Sequence, residues 1–300
     1  MNVGGAPRRL HSRLRAEVGE RRYRMIQRDL KASLNHDHAE IAVVLHLFYV
    51  ENWPLFSQRL NNLTQAQIGY DLFITLPAQL EGFITQIKIA FPNAHCIVTP
   101  NRGRDVLPFI KVAEVLSASG YHSILKFHSK KSTHWEGGQD WLEGMMERLL
   151  PSDGRAIGRT IALLQEPTTG VIGPSDVYYP LTVNFPANGP HMMRIVSKLY
   201  GKNKAHEVLQ QRRKEYGFFG GTMFWARLDA IEPLLQYPVR AFEAEHGQID
   251  ATFAHALERM FCIVPEITQR DMYELTVSGK LRKRPYKSTD IPEWSTDHDK

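Results

Sequence analysis

The chain has 300 residues, 43 % of them hydrophobic and 23 % charged, the proportions of a folded globular protein rather than a disordered or fibrous one. No run reaches the roughly 20 apolar residues of a membrane span, and the first residues lack the apolar core of a secretory signal, so a cytoplasmic protein is expected. The net charge of +5 is unevenly spread: an arginine-rich start (Arg8 to Lys31) and a late stretch with Lys280, Arg282, Lys283, Arg284 and Lys287 suit an anionic surface, either lipid headgroups or nucleic acid, or are solvated ends.

Residues 1–38 read as a charged helix and a connection. IAVVLHLFYV (41–50) is a continuous apolar, β-branched run, the pattern of a strand buried on both faces of a parallel sheet. Trp53-Pro54 opens a helix with Phe56, Leu60 and Leu63 on one face. A second strand (70–76) precedes a helix carrying Leu80, Phe83, Ile84, Ile87 and Phe91. A third strand (94–100) is followed by a helix that Gly120 stops, and a fourth strand spans 121–127. A helix from Trp141, a short strand at 170–174, a Pro/Asn/Gly-rich loop (177–190) and basic helices (191–213) come next. GFFGGTMFWAR (217–227) reads as one strand entered through a glycine pair. The last element is an amphipathic helix over 249–261, with Ile249, Phe253, Ala256, Leu257 and Met260 on its core face.

Strand and helix alternating at this spacing predict a doubly wound, mostly parallel α/β sheet with flanking helices. We place it in a single domain over residues 39–268, between a basic N-terminal extension (1–38) and a basic, partly flexible tail (269–300). Cys96 and Cys262 sit in apolar runs and read as buried thiols rather than a disulfide or metal knuckle.

Ligands of such sheets bind beyond the carboxyl ends of the strands, here 46–49, 75–77, 101–105 and 128–132. NRGRD (101–105) joins a glycine to two guanidinium groups, Arg102 and Arg104, at a helix start, a combination suited to phosphate. Asp105 is read as a partner for arginine, a hydroxyl acceptor or a helix cap. KFHSKKSTHW (126–135) brings His128, Lys130, Lys131 and His134 together without an acid, a second positive cluster fit for a diphosphate. Asp250 begins the late helix, as a cap or as a base, with His255, Glu258 and Arg259 on its polar half. Asp250 and Glu258 lie two turns apart, and His255 reads as a solvated surface histidine. HExxH, CxxC, GxSxG and GxxxxGK[ST] do not occur, which removes the common metalloprotease, zinc, hydrolase and P-loop readings.

Taken in order, NRGRDVLPF, LKFHSKKS, GQDW, GVIGP, GGTMFWAR and GQIDATFAHALER resemble the serial motifs of the rhamnan synthesis protein F family, from about residue 41 to 262. That family is grouped with GT-A-fold glycosyltransferases of O-antigen and rhamnose polymer assembly. The resemblance implies a GT-A-like fold and an inverting transfer of a sugar, with rhamnose as the candidate, to a growing cell-surface polysaccharide. It puts the donor against His46, Tyr49, Asn101, Arg102, Gly103, Arg104, Asp105, His128, Lys130 and Lys131. Asp250 takes the place of the base, with Glu258 behind it, and Trp141, Gly221, Thr222, His255 and Arg259 face the acceptor. His128-Ser129-Lys130 stands where most GT-A enzymes carry the Asp-x-Asp that holds Mg²⁺ or Mn²⁺, so no metal is assigned and cationic side chains replace it. The implied partners are a nucleotide sugar such as dTDP-rhamnose, a glycan or lipid-linked glycan acceptor and an anionic membrane surface, with no nucleic acid. The alternative is a non-catalytic subunit that binds glycan or nucleotide sugar.

Overall fold

The computed structural model describes residues 5–34, 37–129, 138–248 and 250–284. Its strands are β1 (Ile41–His46), β2 (Asp71–Pro77), β3 (His95–Thr99), β4 (Ser123–His128), β5 (Thr169–Pro174), β6 (Tyr178–Pro180), β7 (Gly217–Phe219), β8 (Phe224–Arg227), β9 (Asp271–Leu275) and β10 (Leu281–Lys283). The helices are α1 (Gly5–Ser33), α2 (Trp53–Gln65), α3 (Ile84–Ala90), α4 (Val106–Ala118), α5 (Gly138–Leu149), α6 (Gly154–Gln165), α7 (Phe185–Tyr200), α8 (Lys202–His206), α9 (Leu228–Ile231) and α10 (Phe253–Ile267).

Eight strands form one sheet in the order β10-β9-β5-β8-β4-β1-β2-β3, and β6 pairs with β7 apart from it. Neighbours β4, β1, β2 and β3 are parallel, whereas β8 runs against both β4 and β5, and β10 against β9. The result is the expected mostly parallel, helix-flanked α/β sheet of GT-A-like class. Apolar side chains on both faces drive it: every residue of β4 is buried, and so are Ile41 to Leu45 of β1. The chain winds outward from β1 through β2 to β3, then returns to place β4 on the other side of β1. The strand order therefore reverses between β1 and β4, the position where open α/β sheets build their binding crevice.

Several elements differ from the sequence expectation, among them a helix over 154–165 and the strand and helix start that replace the expected 177–190 loop. The glycine pair at 220–221 does not enter one strand but divides two: β7 pairs with β6, β8 joins the main sheet, and Gly221 turns the chain with φ 77°. The helix expected across Leu80 to Phe91 is a 3-10 turn over residues 78–83 followed by the short α3, and only Ile87 of α3 is buried. The late helix starts at Phe253, not at 249, and Ile249 lies outside the described residues. The sheet also continues past residue 268, because β9 pairs in parallel with β5 and β10 hangs on β9. At the other end, α1 buries Tyr23 and Leu30, and its Glu20 carboxylate takes the Val239 N–H at 2.9 Å. No helix among the described residues is long and apolar enough to cross a membrane.

Candidate functional site

The carboxyl ends of β1 and β4 lie side by side, with His46 the direct partner of His128. His46 Nδ1 lies 2.9 Å from Thr75 Oγ1 at the end of β2. Burial pulls its pKa down to about 4, with His128 and Lys126 acting the same way and Asp105 opposing, so His46 is neutral near pH 7. His128 Nε2 is 2.6 Å from the Gly221 carbonyl and therefore carries the proton there.

Two residues before His128, Lys126 sits on the same face of β4 and is fully buried. Its Nζ donates to Asp105 Oδ2 at 2.6 Å and to the Thr222 carbonyl at 2.8 Å, and it lies over the Phe109 and Phe224 rings. Burial alone would raise the Asp105 pKa, but His128 and Lys126 hold it well below the usual carboxylate range. Asp105 is thus neither an arginine partner nor a side-chain cap of α4: it stands at the cap position without bonding the helix, because its charge is committed to Lys126. Lys126 was not among the residues singled out from sequence. The signal was a lone lysine inside an apolar strand, since charged side chains are buried only when paired.

Ser129, also buried, shapes the loop beyond β1. Its Oγ accepts the N–H groups of Phe48 at 2.7 Å and Tyr49 at 2.8 Å, while Asn52 Nδ2 donates to its carbonyl at 3.1 Å. Tyr49 is held half-exposed at the crevice edge.

In the 101–105 turn Asn101 is exposed and Gly103 has φ 66°, where a Cβ would meet Leu107 Cβ at 2.6 Å and Phe242 Cδ1 at 2.7 Å. Both arginines make contacts within the fold. Arg102 donates through Nε at 3.0 Å and through Nη2 to the Phe242 carbonyl, and its backbone bridges Ala244. Arg104, itself left-handed at φ 56°, donates to the Gln248 carbonyl, with Glu245 Oε2 3.8 Å from its Nε. The segment 242–248 has little secondary structure of its own, so its carbonyls need donors, and the two guanidinium forks supply them.

That anchored segment leads into Asp250. The carboxylate is not the cap of α10: Ala251, at φ 66°, breaks the chain away, and Thr252 caps the helix in a capping box with His255. Asp250 and Glu258 therefore do not share one helical face. Asp250 Oδ1 instead accepts Asn188 Nδ2 at 2.9 Å and the Ala251 N–H at 2.8 Å, with Arg259 Nη2 3.7 Å from Oδ2 and His255 Nδ1 3.8 Å from Oδ1. Its side chain keeps 21 % of its surface exposed. His255 and Arg259, expected on a solvated face, are both buried. Arg259 donates to the His255 carbonyl at 2.7 Å and lies 4.8 Å over the Phe218 ring. Asn188, from the loop-like stretch that forms the start of α7, was not picked out from sequence because its partner lies 62 residues away.

Gly221 and Thr222 serve the same cluster through their carbonyls. At Gly221 a Cβ would meet Trp141 Cη2 of α5 at 2.6 Å, so glycine is what lets the indole close on this turn. Lys130 and Lys131 lie outside the described residues. Among the described residues no group of three or more His, Cys, Asp or Glu side chains could hold a metal ion. Asp105, the carboxylate beside His128, has Oδ2 bound by a lysine, so the described strand-end residues offer no carboxylate pair for a divalent cation.

The family model for rhamnan synthesis protein F matches residues 18–269. The chain belongs to the rhamnan synthesis protein F family. It is also 37 % identical over 220 residues to the uncharacterized protein WxcX of Xanthomonas campestris pv. campestris, in two strains. That match takes up 72 % of this chain and 30 % of WxcX, so the chain spans about a third of the length of these curated relatives. In a member of the rhamnan synthesis protein F family, the reversal of strand order between β1 and β4 and the loops around it form the natural candidate site.

Proposed function

We propose that this domain is an inverting glycosyltransferase that moves a sugar, rhamnose first among the candidates, from a nucleoside diphosphate to a cell-surface glycan. Asp250 carries the reading. One of its oxygens is fixed by two N–H donors, the carboxylate stays reachable, and Arg104 ties its loop to the strand ends. A carboxylate so held takes the proton of an acceptor hydroxyl as that oxygen bonds the anomeric carbon. The bond from that carbon to the diphosphate breaks on the opposite side, and its electron pair leaves with the nucleotide.

In this reading Tyr49, Asn101, neutral His46 and the His128 to Lys131 stretch meet the donor. Arg102, Arg104, Asp105 and Lys126 build the frame. The lysines at 130–131 neutralise the departing charge in place of a metal. A lipid-linked acceptor at the inner membrane belongs to the same proposal. Of the late basic stretch, Lys280 and Arg282 are exposed for such a contact, whereas Lys283 and Arg284 are paired with Asp271 and Glu274.

The diversion of both arginines from phosphate favours a second reading, a non-catalytic subunit that binds glycan or nucleotide sugar. A thermal-shift screen of nucleotide sugars followed by a transfer assay separates the two. The catalytic reading expects one nucleoside diphosphate sugar, dTDP-rhamnose first, to raise the melting temperature and to be consumed when a glycan acceptor is added. Stabilisation without turnover supports the second reading, and no stabilisation by any nucleotide sugar contradicts the catalytic reading and confines the second to glycan binding.

A further inference from the structure

A cleft of about 340 Å³ opens between α5 and the corner that follows β5, lined by Asp140, Trp141, Met145, Arg148, Ser175 and Asp176 among others. Its size is at the lower end of small-molecule sites, which run from about 300 Å³ upward. The wall is fixed by Arg148, whose three nitrogens are all committed: Nε donates to Ser175 Oγ at 3.1 Å, Nη1 to the Gly144 carbonyl at 2.8 Å and Nη2 to Asp176 Oδ2 at 3.0 Å. Asp176 is held in a left-handed turn at φ 67°, yet its side chain remains 69 % exposed. Asp140 is exposed as well, and the Trp141 indole is half-buried.

The cleft adjoins the strand-end cluster. Trp141 closes on Gly221, and the Gly221 carbonyl takes His128 Nε2. The lining is amphipathic: an indole and a thioether beside two exposed carboxylates, a hydroxyl and the committed Arg148 guanidinium. A pyranose ring has the same division, with C–H groups on its faces and hydroxyls around its rim. Two exposed carboxylates facing one space disfavour an anion, and the polar rim disfavours a lipid tail.

We infer that this cleft binds a sugar ring of the glycan, its C–H face against Trp141 and its hydroxyls donating to Asp140 and Asp176. The identity of that glycan as the acceptor rests on the proposed transfer reaction; the saccharide-binding chemistry of the cleft does not. Calorimetric titration of the full chain with a rhamnose trisaccharide tests it, alongside Trp141→Ala, Trp141→Phe and Asp176→Asn. Trp141→Ala should weaken binding about threefold to tenfold, the worth of an aromatic packing contact. Trp141→Phe should recover part of that loss. Asp176→Asn, at an exposed position that leaves folding intact, should weaken binding too. No binding by the parent, or parental binding by Asp176→Asn together with either Trp141 variant, overturns the inference. Binding at the cleft without any sugar transfer would count against the catalytic reading and leave the cleft standing.

Discussion

Lys126 Nζ donates to Asp105 Oδ2 at 2.6 Å, with both side chains shut away from water. The pair stands where the strand order reverses and joins three segments: β4 through the lysine, the start of α4 through the aspartate, and the glycine turn through the Thr222 carbonyl. Removing one partner of a buried pair leaves the other charge without compensation, at about 3–5 kcal/mol, whereas replacing both by apolar residues of similar volume is often near neutral. Lys126→Met should therefore lower stability in urea denaturation by that amount. The double variant Lys126→Met with Asp105→Leu should regain most of it. Equal losses in the single and double variants would deny the coupling.

The arginines of the 101–105 turn donate to carbonyls of the loop ahead of Asp250. Arg104→Ala should destabilise the fold by about 1.5–3 kcal/mol, the scale of a hydrogen bond to a charged group. It should lower turnover while leaving the dissociation constant of the nucleoside diphosphate within about threefold, under 1 kcal/mol. A tenfold or larger rise in that constant, measured by calorimetry, would return Arg104 to the donor site.

Much of this architecture was legible in the chain, and the reasons are local. The apolar runs of β1, β2 and β4 could be read because both faces of the sheet are covered, and the strand ends followed from their polar residues. What the chain withheld depends on contacts between distant segments. Arg102 and Arg104 look like phosphate ligands until the carbonyls of Phe242 and Gln248 arrive from about 140 residues away. Asp250 looks like a helix cap until Ala251 adopts φ 66° and hands the cap to Thr252. His255 looks solvated because a histidine among charged neighbours gives no sign that its helix face will be covered. Lys126 was legible in principle, as a charge stranded within a buried strand.

Glu266 gives the fold a pH dependence of known sign. It is buried in α10 with Tyr178 Oη donating to Oε1 at 3.0 Å, and burial pushes its pKa from 4.5 to about 8, against the pull of Tyr178 and Arg284. The folded state thus keeps a proton that the unfolded state releases above pH 4.5. Its contribution to stability is full below that pH and is lost as pH rises toward about 8. Glu266→Gln mimics the protonated acid and removes the slope. Chemical denaturation should find the two proteins alike near the lower value and the variant more stable above the upper one. A variant less stable than the parent above pH 8 would show that the carboxylate, not the acid, is the favoured buried form.

A base at Asp250 and a structural acid there are separated by Asp250→Asn. Asparagine keeps the shape and can still accept the Ala251 and Asn188 N–H groups, so the fold and donor binding should be retained, with the melting temperature lowered only by the loss of charge beside Arg259. What it cannot do is take a proton from the acceptor hydroxyl. The rate of sugar transfer, measured at saturating donor and acceptor, should fall by about 10²–10⁴. Transfer by Asp250→Asn within a few-fold of the parental rate would contradict a base at Asp250.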